Sequence, residues 1–278
     1  MRSANLGVEL LDPKPLASGG RLRRARRRSE PWVGFEWLEE PERTTISVQS
    51  GCPVGCLFCD AGTLPYSGNL TLDELRLQAG ENPKELRLIR MGEPSFNPAV
   101  LALLEESPAK KVLLSTVAPD CPVSERFLEA LLELKNRRFP RGRFTLQFSY
   151  PSTEPGDRRS LIPVRTWGAE KIAIFGKRWM RPHDARVVLN VPLVKSFEFD
   201  PRRAAADFDP AVFSWTFTPV HPSGRARLNG LEQSWQRPPA AVARRMEDLA
   251  ELGFHVSALP SEDADIAARA ACGQLESA

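Results

Sequence analysis

Ser47-Val48-Gln49-Ser50-Gly51-Cys52-Pro53-Val54-Gly55-Cys56-Leu57-Phe58-Cys59 puts three cysteines within eight residues, at the spacing C-x3-C-x2-C. The stretch continues from Arg43–Ser50, whose β-branched residues ending at Gly51 predict a strand that runs into a loop. Cys121 and Cys272 bring the total to five, an odd number that does not suit a disulfide framework. A tight cysteine cluster in a reducing compartment is a donor set for metal. Structural zinc takes four ligands, usually as two separated pairs, so zinc here requires Cys121, Cys272 or His221 as the fourth. Three clustered thiolates without a near fourth fit an iron–sulfur cluster with one iron open to an outside ligand. Buried cysteines without metal are the remaining reading.

Outward from the cysteine loop, strand-like and helix-like segments alternate. Thr71–Gln78 opens on a Thr N-cap with acids in its first turn and predicts a helix. Leu86–Met91 is a short apolar strand stopped by Gly92-Glu93-Pro94, Ala99–Glu106 a helix, and Lys111–Thr116 a strand. Ser124–Lys135 carries leucines and Phe127 at helical spacing, and Arg143–Tyr150 is a strand ended by Pro151. Ala169–Met180 is predicted helical, with Ile172, Phe175 and Trp179 on one face; Val187–Val194 and Val212–Thr218 are strands. Pro239–Leu252 is a helix with Pro at its start and Gly253 past its end, and Phe254–Ala258 is a last strand. Repeated alternation predicts an α/β fold with a parallel sheet, and ligand sites in such folds lie at the carboxyl ends of the strands. The cysteine loop, Gly92-Glu93-Pro94, Ser115, Ser149 and His221 all fall at those ends, which predicts one site at the mouth of an open barrel.

The 278 residues, 42% hydrophobic and 26% charged, suit a globular chain with a sizeable core rather than a disordered or collagen-like one. No apolar run is long enough to span a bilayer, so no membrane partner is expected. Net charge is only +3, yet six of the eight residues from Arg21 to Arg28 are arginine. Residues 1–42 are therefore expected to be a basic, partly disordered extension able to bind phosphates, and 43–278 the core domain. No apolar stretch follows the arginines, as a secretory signal would require, and Glu9 and Asp12 do not suit a mitochondrial presequence, so a cytoplasmic location is expected.

The C-x3-C-x2-C loop resembles that of the radical S-adenosylmethionine (SAM) superfamily. The likeness is closest to the methyltransferases acting on adenine carbon 2 of ribosomal and transfer RNA. Ser47-Val48-Gln49-Ser50-Gly51-Cys52 is similar to their lead-in, Met91-Gly92-Glu93-Pro94 with Asn97 to their SAM-amino motif, and Leu114-Ser115-Thr116 to a SAM-touching segment. Leu146-Gln147-Phe148-Ser149 with Arg158 and Pro163, Pro219-Val220-His221-Pro222, and Ala270-Ala271-Cys272-Gly273-Gln274-Leu275 follow in the family's order. The resemblance covers about residues 43 to 275. It implies a partial (β/α)6 TIM-like barrel, a [4Fe–4S] cluster on Cys52, Cys56 and Cys59, and SAM bound by Gly92, Glu93, Ser115, Ser149 and His221. It further implies Cys272 as a methyl-carrying catalytic thiol, RNA as a partner, and an electron donor such as flavodoxin or ferredoxin.

The chain departs from the family at Thr45, at Arg90 and in what precedes the barrel. The family's second catalytic cysteine, seven residues before the first cluster ligand, is Thr45 here, and a hydroxyl cannot replace a thiolate in sulfur–sulfur exchange. Cys121 can take over as resolving thiol, an external thiol can do so, or the chain runs a different reaction or none. Arg90 stands where the family has glycine, and Glu36 is the candidate for a glutamate that assists RNA chemistry. The family's RNA-gripping domain before the barrel has no counterpart among the 42 residues preceding the first barrel strand. A radical SAM enzyme modifying a peptide or small molecule, and a non-catalytic RNA-binding relative, are the alternatives.

Overall fold

Phe144-Thr145-Leu146-Gln147-Phe148-Ser149 alternates apolar and polar side chains, and a period of two sends them to opposite faces of a strand. In the computed structural model, which describes residues 7–194 and 198–276, Phe144, Leu146 and Phe148 are buried beneath helices. Thr145, Gln147 and Ser149 take the other, half-open face.

In chain order the strands are β1 (Val8–Leu10), β2 (Lys14–Pro15), β3 (Arg21–Arg27), β4 (Gly34–Glu39), β5 (Arg43–Ile46), β6 (Gln49–Ser50) and β7 (Gly68–Asn69). β8 (Glu85–Leu88), β9 (Lys111–Thr116), β10 (Phe144–Ser149), β11 (Val187–Leu193), β12 (Phe213–Pro219) and β13 (His255–Ala258) follow. The helices are α1 (Leu72–Ala79), α2 (Ala99–Glu106), α3 (Pro122–Arg138), α4 (Pro155–Leu161), α5 (Ala169–Trp179), α6 (Pro201–Asp207), α7 (Gly224–Leu228), α8 (Ala240–Glu251) and α9 (Asp263–Ala267).

Strands β5, β8, β9, β10, β11, β12 and β13 pair in that order, all parallel, with helices in every crossover. The pairing path runs from β1 to β13 without closing on itself, so the barrel is partial. Local chemistry sets the helix ends. Thr71 and Glu74 form a reciprocal capping box on α1. Pro122 opens α3, and Lys135, Arg137 and Arg138 close it, where cations oppose the negative end of the helix dipole. The core between sheet and helices is rich in aromatics: Phe144, Phe175 and Trp179 meet edge-on or tilted, and Tyr150, Phe208 and Phe213 do so with Trp215 nearby. Ile172, Phe175 and Trp179 share the buried face of α5.

The arginine run is not a loose arm among the described residues; residues 1–6 lie outside them. Arg21–Arg27 is β3, antiparallel to β4, which is antiparallel to β5, so the sheet runs unbroken across residue 42. Leu22 and Ala25 are buried, and three of the strand's arginines find counter-charges: Arg23 with Glu39, Arg26 with Glu9, and Arg27 with both oxygens of Glu74 at 2.7 and 2.9 Å. Charge counting sees the cations together; the acids that neutralise them come from elsewhere in the chain. Among the described residues no helix is long and apolar enough to cross a membrane.

Candidate active site

The carboxyl ends of the parallel strands enclose a cavity of about 170 Å³. Cys52, Cys56 and Cys59 form one wall; Gly92, Glu93, Ser115, Ser149 and His221 line the strand ends, and Cys272 faces them from the C-terminal segment. All but Cys272 lie near the end of a strand or in the loop that follows one, which is why residues remote in sequence meet.

The cysteine loop is built by backbone ties. Cys52 N donates to Ala61 O at 3.0 Å, and Leu57 N to Leu161 O at 2.9 Å. Arg225 Nη2 donates to Gly55 O at 3.0 Å, Arg225 also reaches Gly62 O, and Ser223 Oγ donates to Phe58 O at 3.0 Å. The thiols carry no disulfide. Burial pushes the Cys52 thiol up to about 11 and the Cys59 thiol up to about 12, and it lifts Cys56 well above the ordinary range. Such thiols ionise only when a cation joins them. No three His, Cys, Asp or Glu donors among the described residues close on a single metal ion. Cys52, Cys56 and Cys59 line one cavity and are three candidate thiolate donors.

Gly92 sits at φ 102, and a Cβ there would lie 2.7 Å from Gln49 Cβ. The glycine is required by Gln49, whose Oε1 accepts from Glu93 N at 2.8 Å. Glu93 is buried and gathers three donors: Ser95 N at 3.0 Å, Thr116 Oγ1 at 2.5 Å and Val117 N at 3.0 Å. Burial raises its pKa against the pull of those bonds. The carboxylate thus ties the turn after β8 to the end of β9 while lining the cavity. Asn97 Nδ2 bridges Val48 O and Leu70 O at 2.7 and 2.9 Å, bracing the strand that leads into the cysteine loop. Arg158, without a carboxylate partner in its contacts, stacks on Tyr150 at 4.8 Å and donates to the carbonyls of Trp167 and Val117; burial brings it down to about 10.

No family model matches the chain. It is 27% identical over 258 residues to a dual-specificity RNA methyltransferase, RlmN, of Synechococcus sp., covering 84% of this chain and 70% of that one. It is 29% identical over 261 residues to the protein of the same description from Thermus thermophilus, covering 85% and 68%. A ribosomal RNA large subunit methyltransferase, Cfr, of Lachnoclostridium phytofermentans matches at 29% over 146 residues, 48% of this chain and 39% of that one. Among solved structures, a radical SAM methyltransferase from Sphaerobacter thermophilus superposes with a TM-score of 0.71 at 20% identity, over 98% of this chain and 82% of the other. SuiB of Streptococcus suis, solved with S-adenosylmethionine, gives 0.52 at 14% identity, over 81% and 49%.

The chain resembles the radical SAM methyltransferases.

Against the radical SAM pattern, four placements stand out. Cys121 caps α3 and lines neither this cavity nor the one beside it, so the structure does not bring it to Cys272. Thr45 does face Cys272 across a second cavity of about 270 Å³, which shares Arg90 and His221 with the first. Glu36 is not free to act on a substrate: Arg90 occupies its Oε1 and Glu276 N its Oε2, at 2.9 and 3.0 Å. His221 Nδ1 meets Cys272 O at 3.1 Å; a carbonyl only accepts, so Nδ1 carries the proton and Nε2 is left as an acceptor. Burial lowers the His221 pKa, which keeps the ring neutral.

Three lining residues were missed by motif reading: Gln147, Asn190 and Thr218. Gln147 Nε2 donates to Ser115 Oγ at 3.0 Å. Among the described residues Asn190 Oδ1 is buried without a donor, an acceptor on the cavity wall suited to a ligand N–H or O–H. The signal was in the alternation: each is a polar residue at an inner-face position of a strand, and Asn190 is in register with Ser149.

Proposed function

We propose that this chain is a [4Fe–4S]-dependent radical SAM methyltransferase that acts on an adenine carbon of RNA through Cys272. The observation that carries the reading is that Cys272 lines the same cavity as the three-cysteine loop, with Gly273 O accepting from Asp60 N at 2.8 Å beside Cys59. Cys52, Cys56 and Cys59 hold the cluster, and Gly92, Glu93, Ser115, Ser149, Asn190 and His221 bind SAM. Cluster and SAM together supply a methyl donor and, on one-electron reduction by a flavodoxin or ferredoxin, a carbon-centred radical. With SAM bound, Cys272, its thiol proton given up to solvent, would be the nucleophile that accepts the methyl group.

Product release needs a second sulfur. Thr45 cannot provide it and Cys121 lies outside both cavities, so a thiol from solution enters the 270 Å³ cavity. Its sulfur bonds to Cys272 Sγ, the bond from Sγ to the product carbon breaks, and that carbon keeps the electron pair and takes a proton. Three of the five arginines of β3, Arg23, Arg26 and Arg27, pair with acids, which supports a role for them in the sheet rather than as an RNA-binding arm.

The test is mass spectrometry of Cys272 after anaerobic reconstitution with SAM and a low-potential reductant, beside Cys272→Ala. A methyl or methylene mass on Cys272 is expected. Deoxyadenosine release with Cys272 unmodified would sink the carrier chemistry. The second cavity, of about 270 Å³ beside Cys272, favours one further reading: a peptide or small molecule as substrate. Deoxyadenosine release stimulated by such a compound and not by RNA would select it.

A further inference from the structure

Arg90 follows β8 by two residues and lies in the interior, its side chain 3% exposed and that of Glu36 6%. Its Nε and Nη2 donate to Glu36 Oε1. The same guanidinium reaches three successive main-chain carbonyls: Nη2 to Arg269 O at 2.8 Å, and Nη1 to Ala270 O and Ala271 O at 2.9 and 3.2 Å. The next carbonyl, Cys272 O, meets His221 Nδ1, and the one after it, Gly273 O, accepts from Asp60 N at 2.8 Å. Five consecutive carbonyls, from 269 to 273, are therefore each held by a group distant in sequence. The carboxylate of Asp60, next to Cys59, also takes Arg269 Nη2 at 2.8 Å and Leu275 N at 3.3 Å.

This segment is neither helix nor strand, and the chain turns through positive φ at Arg269 and Gly273. Left to itself it would sample many conformations. Gripped at every carbonyl, its main chain has one, and the Cys272 side chain is the part left exposed. Arginine suits the task because its planar fork presents donors in several directions at once; an ammonium is a point charge on a flexible stem. A thiol that must take a methyl group in line gains from such preorganisation.

We propose that Arg90, braced by Glu36, is a positioning residue that fixes the Cys272 main chain so that the thiol meets the SAM cavity in one geometry. Its purpose rests on the methyl-carrier reading above; its geometry does not. The test uses the full chain with Arg90→Gln, Arg90→Lys and Glu36→Gln. Hydrogen exchange without SAM is expected to be at least tenfold faster for the amides of residues 274–276 in Arg90→Gln, with β9 and β10 unchanged. In the reconstituted enzyme, methyl transfer to Cys272 at saturating SAM is expected to fall at least tenfold while the KM for SAM stays within twofold. Arg90→Lys is expected to recover only a small part of the rate.

Native exchange in Arg90→Gln overturns the proposal. Faster exchange with unchanged methyl transfer also overturns it, leaving Arg90 as a strap for the fold. Should Arg90→Gln fail to fold, Glu36→Gln, which keeps the shape and loses the charge, carries the same two readouts. A native chain that takes no methyl on Cys272 refutes the carrier reading instead. Exchange and iodoacetamide alkylation of Cys272, expected to be at least fivefold faster in Arg90→Gln, then decide the positioning claim alone.

Discussion

Gly92→Ala separates a backbone requirement from a packing one at the turn that lines the cavity. The residue sits at φ 102, and the new methyl would lie 2.7 Å from Gln49 Cβ and 2.9 Å from Gln49 Cγ and N. Forcing a side chain into such a sparsely populated backbone region costs about 1–3 kcal/mol. Displacing the packed neighbour costs about 1–3 kcal/mol more. The sum is about 2–6 kcal/mol, and the displacement falls on Gln49, whose bond to Glu93 N would lengthen or break. Gly230→Ala is the control, because φ there is 63 and nothing lies within 4 Å of the added carbon. It should lose only the left-handed strain, about 1–2 kcal/mol. Urea unfolding followed by tryptophan fluorescence measures both, with extrapolation to water. Equal losses in the two variants would show that Gln49 does not demand the glycine, and the account of the turn would be wrong.

Glu74 is held below the usual carboxylate range: burial works to raise it, but the Arg27 fork and the bonds to Thr71 prevail. A depressed folded pKa gives stability that is present above the unfolded value of about 4.5 and lost as pH falls through the folded one. Arg27→Met is therefore expected to cost about 2 kcal/mol at pH 7, shrinking toward pH 3; a loss independent of pH in urea titrations would refute the pairing. Asn190→Leu keeps the branched heavy-atom shape and removes the orphaned acceptor, so the Kd for SAM should rise about tenfold without loss of thermal stability. An unchanged Kd by anaerobic calorimetry would mean that no ligand donor meets Oδ1. Thr45→Cys should make product release independent of added thiol, and Cys121→Ser should leave it within twofold of native; a large loss in Cys121→Ser would place that thiol in the reaction.

The parallel core was legible because alternation and helix signals are local. Ala99–Glu106 and Lys111–Thr116 have the bounds their residues predict. The cavity's cysteines and strand-end serines followed from where strands stop. The N-terminal strands were not legible, since Arg21–Arg27 reads as a charge block until Glu9, Glu39 and Glu74 are brought beside it by folding. Arg90 and Glu36 show the same limit: two residues 54 apart in the chain become one buried pair, and their joint role lies in main-chain carbonyls that no sequence displays. Asn190 was missed for a different reason. It carries no motif, and only register with Ser149 puts it on the cavity wall.

The antiparallel strands also settle what happens at the open side of an unclosed barrel. Without them β5 would present a bare row of amides and carbonyls, a template on which another chain could extend the sheet. With them the border moves outward to β1 and β2, of three and two residues, the latter ending in Pro15, which has no amide hydrogen to donate. On the far side β13 is only four residues long and partly exposed. Short, charged and proline-tipped margins resist cross-chain pairing, so the N-terminal strands leave the barrel open at its mouth with little to extend at its sides.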